Sequence, residues 1–254
     1  MIYEIKNRYS KKMVVVVDGG ADNLGLAFVM HGLGGSKEQP HIQAISDILV
    51  SNGYTSVRFD ATNSLGESDG NFEDATATNY FEDLQDVIAW AAVQSWFKEP
   101  FTLVGHSLGG LCVGLYAELN PSRVKALAPL STVVSGRLSM SCHTRDELAN
   151  WQATGYREEQ SVSKPGVSKR LKWSHMIDRQ KYDLLEKVEN LTMPVLMIVG
   201  DQDDVTPARH QRILFDRLPK KKELHIIKGM SHTPRDADHL TDISAIFNTW
   251  LTNL

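Results

Sequence analysis

The sequence predicts an α/β fold: a mostly parallel sheet covered by helices on both faces, with a small inserted cap. Three observations predict it. Short apolar runs rich in β-branched residues alternate with amphipathic helical stretches along most of the chain. Glycine-rich turns stand at the ends of two of those runs, Gly32-Leu33-Gly34-Gly35 and Gly105-His106-Ser107-Leu108-Gly109-Gly110. One long stretch, 135–183, is polar and breaks the alternation.

Taken in order, 13–17 and 26–30 read as an N-terminal pair of strands joined by a hairpin-like loop through Asp18-Gly19-Gly20-Ala21-Asp22-Asn23. In 39–52, Ile42, Ile45, Ile48 and Leu49 recur at helical spacing, and Gly53 supplies a C-cap. A short strand is expected over 55–60. The stretch 79–96 is amphipathic, with Phe81, Leu84, Val87, Ile88 and Ala91 on one helical face. A strand over 101–105, a helix over 109–119 and a strand over 126–130 follow. Beyond the polar stretch come strands over 195–200 and 224–228, with a helix over 208–218 between them. A closing helix over 238–251 carries the stripe Leu240, Ile243, Ile246, Phe247 and Trp250.

A bare loop as long as 135–183 is out of place in a compact domain, so that segment is expected to be a cap of helices and turns. The rest, 1–134 and 184–254, forms the core of a single catalytic domain. Trp151, Tyr156 and Trp173 are the large aromatic groups of the cap. They either form its own small core or wall a pocket.

Composition bounds the function. At 254 residues, 42 % hydrophobic and 23 % charged, the chain can bury a large core without disulfide staples. Of its two cysteines, Cys112 lies in an apolar helical run with Leu111, Val113 and Leu115, and is expected to be a buried structural thiol. A net charge of −4, from 27 basic and 31 acidic residues, argues against a nucleic-acid or anionic-lipid partner. The basic cluster Lys220-Lys221-Lys222 is expected to be a solvated turn. No apolar run approaches the ~20 residues of a membrane span. Met1-Ile2-Tyr3-Glu4-Ile5-Lys6 opens no apolar leader, so no signal peptide and a cytoplasmic location are expected.

The strongest chemical signal is Gly105-His106-Ser107-Leu108-Gly109, a G-x-S-x-G match between an apolar run and a helix. A sharp strand-to-helix turn holds its central serine in a strained conformation, so small residues are needed two before and two after it. The helix N-terminus that follows favours a developing anion. A serine hydroxyl is a weak nucleophile and needs a base, which needs an orienting carboxylate. Both types stand after later strands: Asp201, Asp203 and Asp204 in one turn, His232 in another. Ends of parallel strands converge, so these groups are expected to meet Ser107.

With these motifs in register, the sequence resembles the α/β-hydrolase family, whose nucleophile, acid and base follow in that chain order. The resemblance implies the α/β-hydrolase fold and a triad. The family pattern G-x-x-D-x-x-(V/T)-P, laid on Gly200 and Pro207, selects Asp203, with Asp204 its rival and Asp201 a loop-capping group. The implied triad is Ser107, Asp203 and His232. His31-Gly32-Leu33-Gly34-Gly35 resembles the H-G-x-G-G loop of esterases and lipases. It implies an oxyanion hole made by the backbone N–H groups of Leu33 and Leu108. His31 and His106 then fit as scaffold residues. A phosphate cradle is set aside, since the glycines lack a following G-K-(S/T) or a G-x-G-x-x-G pattern.

A narrower likeness lies in Gly66-Glu67-Ser68-Asp69-Gly70-Asn71-Phe72-Glu73-Asp74, which resembles a loop of bacterial cinnamoyl/feruloyl-type esterases. Those enzymes carry a small inserted cap and release hydroxycinnamic acids. This chain has Leu108 where many of them have glutamine. The resemblance implies a serine carboxylic-ester hydrolase working through an acyl-enzyme on small to medium esters, hydroxycinnamoyl or short-chain acyl, with no metal or organic cofactor. A monoacylglycerol lipase, a thioesterase or a serine peptidase would carry the same constellation. A non-catalytic binder of this family would be expected to lack a triad member.

Overall fold

Apolar runs without a charge, such as Gly25–Met30 and Val195–Gly200, are buried along their whole length, as interior strands of a sheet covered on both faces must be. The computed structural model describes residues 1–19, 24–160, 166, 168–219 and 221–254. In chain order the strands are β1 (Ile2–Lys6), β2 (Lys12–Asp18), β3 (Gly25–Met30), β4 (Tyr54–Phe59), β5 (Phe101–His106) and β6 (Val124–Leu130). They continue as β7 (Tyr156–Gln160), β8 (Ser168–Lys172), β9 (Val195–Gly200) and β10 (Lys222–Ile227). The helices are α1 (Pro40–Ser51), α2 (Ala77–Ala91), α3 (Leu108–Leu119), α4 (Gly136–Met140), α5 (Arg145–Thr154), α6 (Ser174–Arg179), α7 (Ala208–Arg217) and α8 (Ala237–Thr252).

Eight strands form one sheet in the order β1-β2-β4-β3-β5-β6-β9-β10. Every neighbouring pair from β4 to β10 is parallel, and β2 runs antiparallel to both β1 and β4. The two-residue period of the strands divides the core. Leu26, Phe28 and Met30 join Leu103, Leu127 and Met197 under α2 and α3. Ala27 and Val29 join Val104, Ala128 and Ile198 under α1 and α8. Chain order reverses at β3 and β5: the chain leaves β3 for β4 on one side and returns to β5 on the other. Loops at such a switch point splay apart and leave a crevice at the C-terminal strand ends. The loops after β3 and β5 hold Leu33 and Ser107.

Three expectations are corrected. The runs 13–17 and 26–30 do not form a hairpin pair, because β4 lies between β2 and β3, and β2 turns back on β1 instead. Residues 20–23 of the expected hairpin loop lie outside the described residues. The strand β1 gave little signal because it is an edge strand with only Ile5 buried. Helix α2 starts earlier and ends at Ala91: the Thr76 side chain caps it by accepting from the Asn79 amide at 3.0 Å. In the basic cluster, Lys220 lies outside the description, and Lys222 is no solvated turn residue. Its Nζ donates to the carbonyls of Phe215 and Leu218 at the end of α7, at 2.7 and 2.9 Å.

The segment 135–183 leaves the core after β6 and returns where Ser135 bridges Asp183. Besides α4, α5 and α6 it holds the antiparallel pair β7–β8, which the expectation of helices and turns missed. Charged residues build that pair. Glu159 lies opposite Lys169 and Glu158 opposite Arg170, and both pairs are ion-paired.

Candidate active site

Strand β5 ends in a turn that places Ser107 at φ 55°, ψ −116°, a region costly for any residue with a Cβ. The turn closes because its flanks are glycines. A Cβ on Gly105 would sit 2.3 Å from the Gly109 carbonyl oxygen, and one on Gly109 would sit 2.5 Å from that of His31. The Ser107 amide donates to Leu130 O and its carbonyl accepts from Leu111 and Val133, so the strained residue is held from three sides. Its hydroxyl stands just before the first turn of α3.

His232 Nε2 lies 2.9 Å from Ser107 Oγ. On the other side of the ring, Nδ1 lies 2.9 Å from Asp203 Oδ2 and 3.1 Å from Oδ1. Asp203 follows β9 and His232 follows β10, so the three groups converge from separate strand ends. The Asp203 carboxylate is fully buried. Burial pushes its pKa up, but hydrogen bonds from His232 and the Thr206 amide outweigh that and lower it to about 2. Asp203 is therefore charged at neutral pH, and a charged carboxylate fixes the proton of His232 on Nδ1. Nε2 is left to accept from the serine.

The other two candidates lie elsewhere. Asp204 is exposed. Asp201 Oδ1 accepts from the Gly229 amide at 2.7 Å, capping the turn before His232.

Thr206 was not foreseen from the sequence. Its amide donates to Asp203 Oδ1 at 2.8 Å, and its hydroxyl lies 2.9 Å from Oδ2, 2.7 Å from Ser131 O and 3.2 Å from His232 Nδ1. A threonine beside a valine and a proline carries no signal of such a contact in one sequence.

The loop after β3 faces Ser107. Leu33 and Leu108 both line the cavity beside the serine, and among the described residues neither backbone N–H has a protein acceptor. Both are free to donate to an anion. His31 braces this loop from inside the core. The Ala61 amide donates to its Nε2 at 3.1 Å, so Nδ1 carries the proton and donates to Gly32 O at 2.7 Å. Tyr80, another residue without a sequence signal, meets the Gly34 amide through its hydroxyl at 3.2 Å. Lys37 and Asp60 close the loop with a buried ion pair of 3.0 Å, and Glu67 from the 66–74 stretch donates its amide to the same carboxylate.

The cavity holds about 190 Å³ and reaches from this loop to the 135–183 segment, whose Trp151, Arg157, Glu159, Lys169, Leu171 and Arg179 line it. Trp151 is buried, donates its indole N–H to Leu171 O at 3.0 Å and packs edge-on against Trp173. Trp173 and Tyr156 do not reach the cavity. Among the described residues no cluster of His, Cys, Asp and Glu could hold a metal ion, and no helix is long and apolar enough to cross a membrane.

A glycine-flanked serine at the crossover of a mostly parallel sheet, with histidine and aspartate from later strand ends, defines an α/β protein of hydrolase type. The chain has the α/β-hydrolase fold. Residues 28–143 match the family described as alpha/beta hydrolase fold, and residues 149–235 match the family described as serine aminopeptidase, S33. The mitochondrial palmitoyl-protein thioesterase ABHD10 of Bos taurus is 28 % identical over 182 residues, 69 % of this chain and 56 % of that protein. The match thus spans little more than half of that relative's length. Est1E of Butyrivibrio proteoclasticus with ferulic acid bound superposes with a TM-score of 0.83 at 23 % identity, covering 99 % of this chain and 98 % of that one. The mouse alpha/beta hydrolase domain-containing protein 10 superposes at 0.82 with 19 % identity, covering 100 % and 99 %.

Proposed function

We propose that this protein is a serine carboxylic-ester hydrolase with Ser107 as nucleophile, His232 as general base and Asp203 as the carboxylate that orients it. The observation that carries the reading is the unbroken hydrogen-bond chain from Ser107 Oγ through His232 to a buried, charged Asp203. In the forward step His232 Nε2 takes the hydroxyl proton as Ser107 Oγ bonds to the ester carbonyl carbon. The N–H groups of Leu33 and Leu108 hold the developing oxyanion, each such donor being worth about 2.7–4 kcal/mol in comparable enzymes. The tetrahedral centre collapses, the alcohol leaves with the proton from His232, and the acyl group remains on Ser107. Water, deprotonated by the same imidazole, then releases the acid.

The segment 135–183 acts in this reading as a cap that walls the acyl or alcohol site. A cavity of about 190 Å³ with four charged side chains on its wall suits small or medium esters better than a long alkyl chain. Thioesters would pass through the same acyl-enzyme, and the name of the bovine relative keeps them in the test. The free thiols Cys112 and Cys142 suit a reducing compartment such as the cytoplasm. The bovine relative is named as mitochondrial.

A fluorophosphonate probe followed by peptide mapping tests the nucleophile. Labelling is expected at Ser107 and nowhere in Ser107→Ala, whose ester turnover should fall by several orders of magnitude. Absence of labelling in the folded wild type, or more than a tenth of wild-type turnover in Ser107→Ala, overturns the reading. A panel of p-nitrophenyl esters of rising chain length, methyl ferulate, a monoacylglycerol and an acyl thioester then ranks the substrate classes.

A further inference from the structure

The cavity beside Ser107 is walled by three cations and one carboxylate. Arg157 and Lys169 share that carboxylate: Arg157 Nη2 donates to Glu159 at 2.8 Å, and Lys169 Nζ lies 3.0 Å from its other oxygen. The third cation, Arg179 at the end of α6, has no acid among the described residues. Its side chain is buried, and among the described residues Nη2 meets only the sulfur of Met176 at 3.6 Å and Nε has no partner. The acid next to it in sequence, Asp178, is engaged with Thr78 and Lys181. The 135–183 residues outside the description, 161–165 and 167, include no aspartate or glutamate.

An arginine placed like this is not explained by packing. A guanidinium withdrawn from water without a counter-charge is expensive, and a methionine or leucine would fill the same space without that cost. Burial, and then the charge of Arg157, lowers Arg179 to about 10, so it still carries its charge at neutral pH. Its forked N–H donors match the two oxygens of a carboxylate and are kept in reserve on the wall of a cavity that Ser107 shares.

We infer that Arg179 is a specificity determinant that binds a carboxylate on the ester itself, so that the preferred substrates are anionic esters with a carboxylate a short chain from the scissile carbonyl. This inference rests on the ester-hydrolase reading of Ser107. Glu159 sharpens it, because one carboxylate already satisfies Arg157 and Lys169 and leaves only Arg179 to be matched.

The test compares matched neutral and anionic esters. p-Nitrophenyl butyrate and p-nitrophenyl hemiglutarate place the difference on the acyl side; ethyl butyrate and butyrylglycolate place it on the alcohol side. Wild type should favour the anionic member of at least one pair by tenfold or more in kcat/KM, chiefly through KM. In Arg179→Met that ratio should fall to near one, whatever loss the two esters share, and Arg179→Lys should restore part of it. Equal kcat/KM for both members of both pairs in wild type overturns the inference even if the variants fail to fold. A preference that survives in a folded Arg179→Met overturns it as well. Calorimetry with glutarate, a carboxylate that cannot be hydrolysed, separates this from the catalytic reading. Binding to wild type that is lost in Arg179→Met sustains the anion site even if no ester is turned over, whereas turnover of neutral esters without glutarate binding or anionic preference sinks the anion site alone.

Discussion

The imidazole of His106 donates its Nε2–H to the backbone carbonyl of His232 across 2.8 Å, with the two rings 5.0 Å apart. His106 is the residue before Ser107, so the turn that strains the serine also pins the loop that carries His232. Burial, and then the nearby His232, lowers His106 to about 3, which keeps it neutral and its proton on Nε2. His106→Phe keeps a ring in place and removes the donor. It should lower kcat about tenfold, the ~1.4 kcal/mol of a single lost hydrogen bond, with little change in KM. Steady-state kinetics on p-nitrophenyl butyrate check this. An unchanged kcat would mean that the pin does not set the position of His232.

Asp203→Asn should cut kcat by several orders of magnitude, and Asp204→Asn by less than about threefold. Of these two carboxylates only the buried Asp203 is hydrogen-bonded to His232, and an asparagine there would present an N–H where the imidazole needs an acceptor. Comparable losses in the two variants would show that the carboxylate does not act through the imidazole.

How much of this was legible before the structure depends on the kind of contact. Ser107, Asp203 and His232 each sit in a turn just past an apolar run, and the parallel-sheet rule predicts that such turns meet. The pairing of β2 was not legible, since hydrophobic patterning says that a segment is a strand but not which strand it neighbours. The β7–β8 pair was missed for another reason. Its strands, Tyr156–Gln160 and Ser168–Lys172, are mostly charged, and what joins them is a ladder of cross-strand ion pairs whose partners a single sequence does not connect. Thr206 contacts Asp203, Ser131 and His232 through the fold, and Arg179 stands out only by its burial without an acid among the described residues; neither residue type marks a site by itself.

Glu118, near the end of α3, should make stability depend on pH. Burial raises its carboxyl to about 8, only partly offset by Lys187, and Oε1 has no partner among the described residues. Below about pH 4, folded and unfolded chains both hold this proton. Between there and about pH 8 the unfolded chain releases it while the folded chain keeps it, so stability falls as pH rises. Above pH 8 the full cost of a buried charge is present. Glu118→Gln should therefore raise Tm at pH 8 and leave it nearly unchanged at pH 4. Differential scanning calorimetry at the two pH values checks this, and an equal shift at both would mean that ionisation is not the cause.

Trp151 and Trp173 test whether the 135–183 segment walls the substrate site. Their rings pack edge-on with centroids 5.4 Å apart, so both contribute to the small core of 135–183. Only Trp151 also faces the cavity, held there by its N–H bond to Leu171 O and covered by the Arg157 guanidinium 5.1 Å from its ring centre. Trp151→Phe shrinks the wall and loses the hydrogen bond; Trp173→Phe shrinks the packing behind it. Both should lower Tm, through the ~1–3 kcal/mol of stability that such losses typically cost. Their effects on specificity should differ. For Trp151→Phe the kcat/KM profile across p-nitrophenyl esters should shift toward longer chains, because the enlarged site admits groups that the indole excluded. For Trp173→Phe the profile should keep its shape, since the cavity surface is unchanged. Binding of the remote part of the substrate lowers the barrier only where the wall touches it. If both variants destabilise the protein and neither moves the profile, the indole of Trp151 belongs to the cap's core alone, and the cavity wall that selects the substrate must be sought among Val133, Val205 and the charged strands β7 and β8.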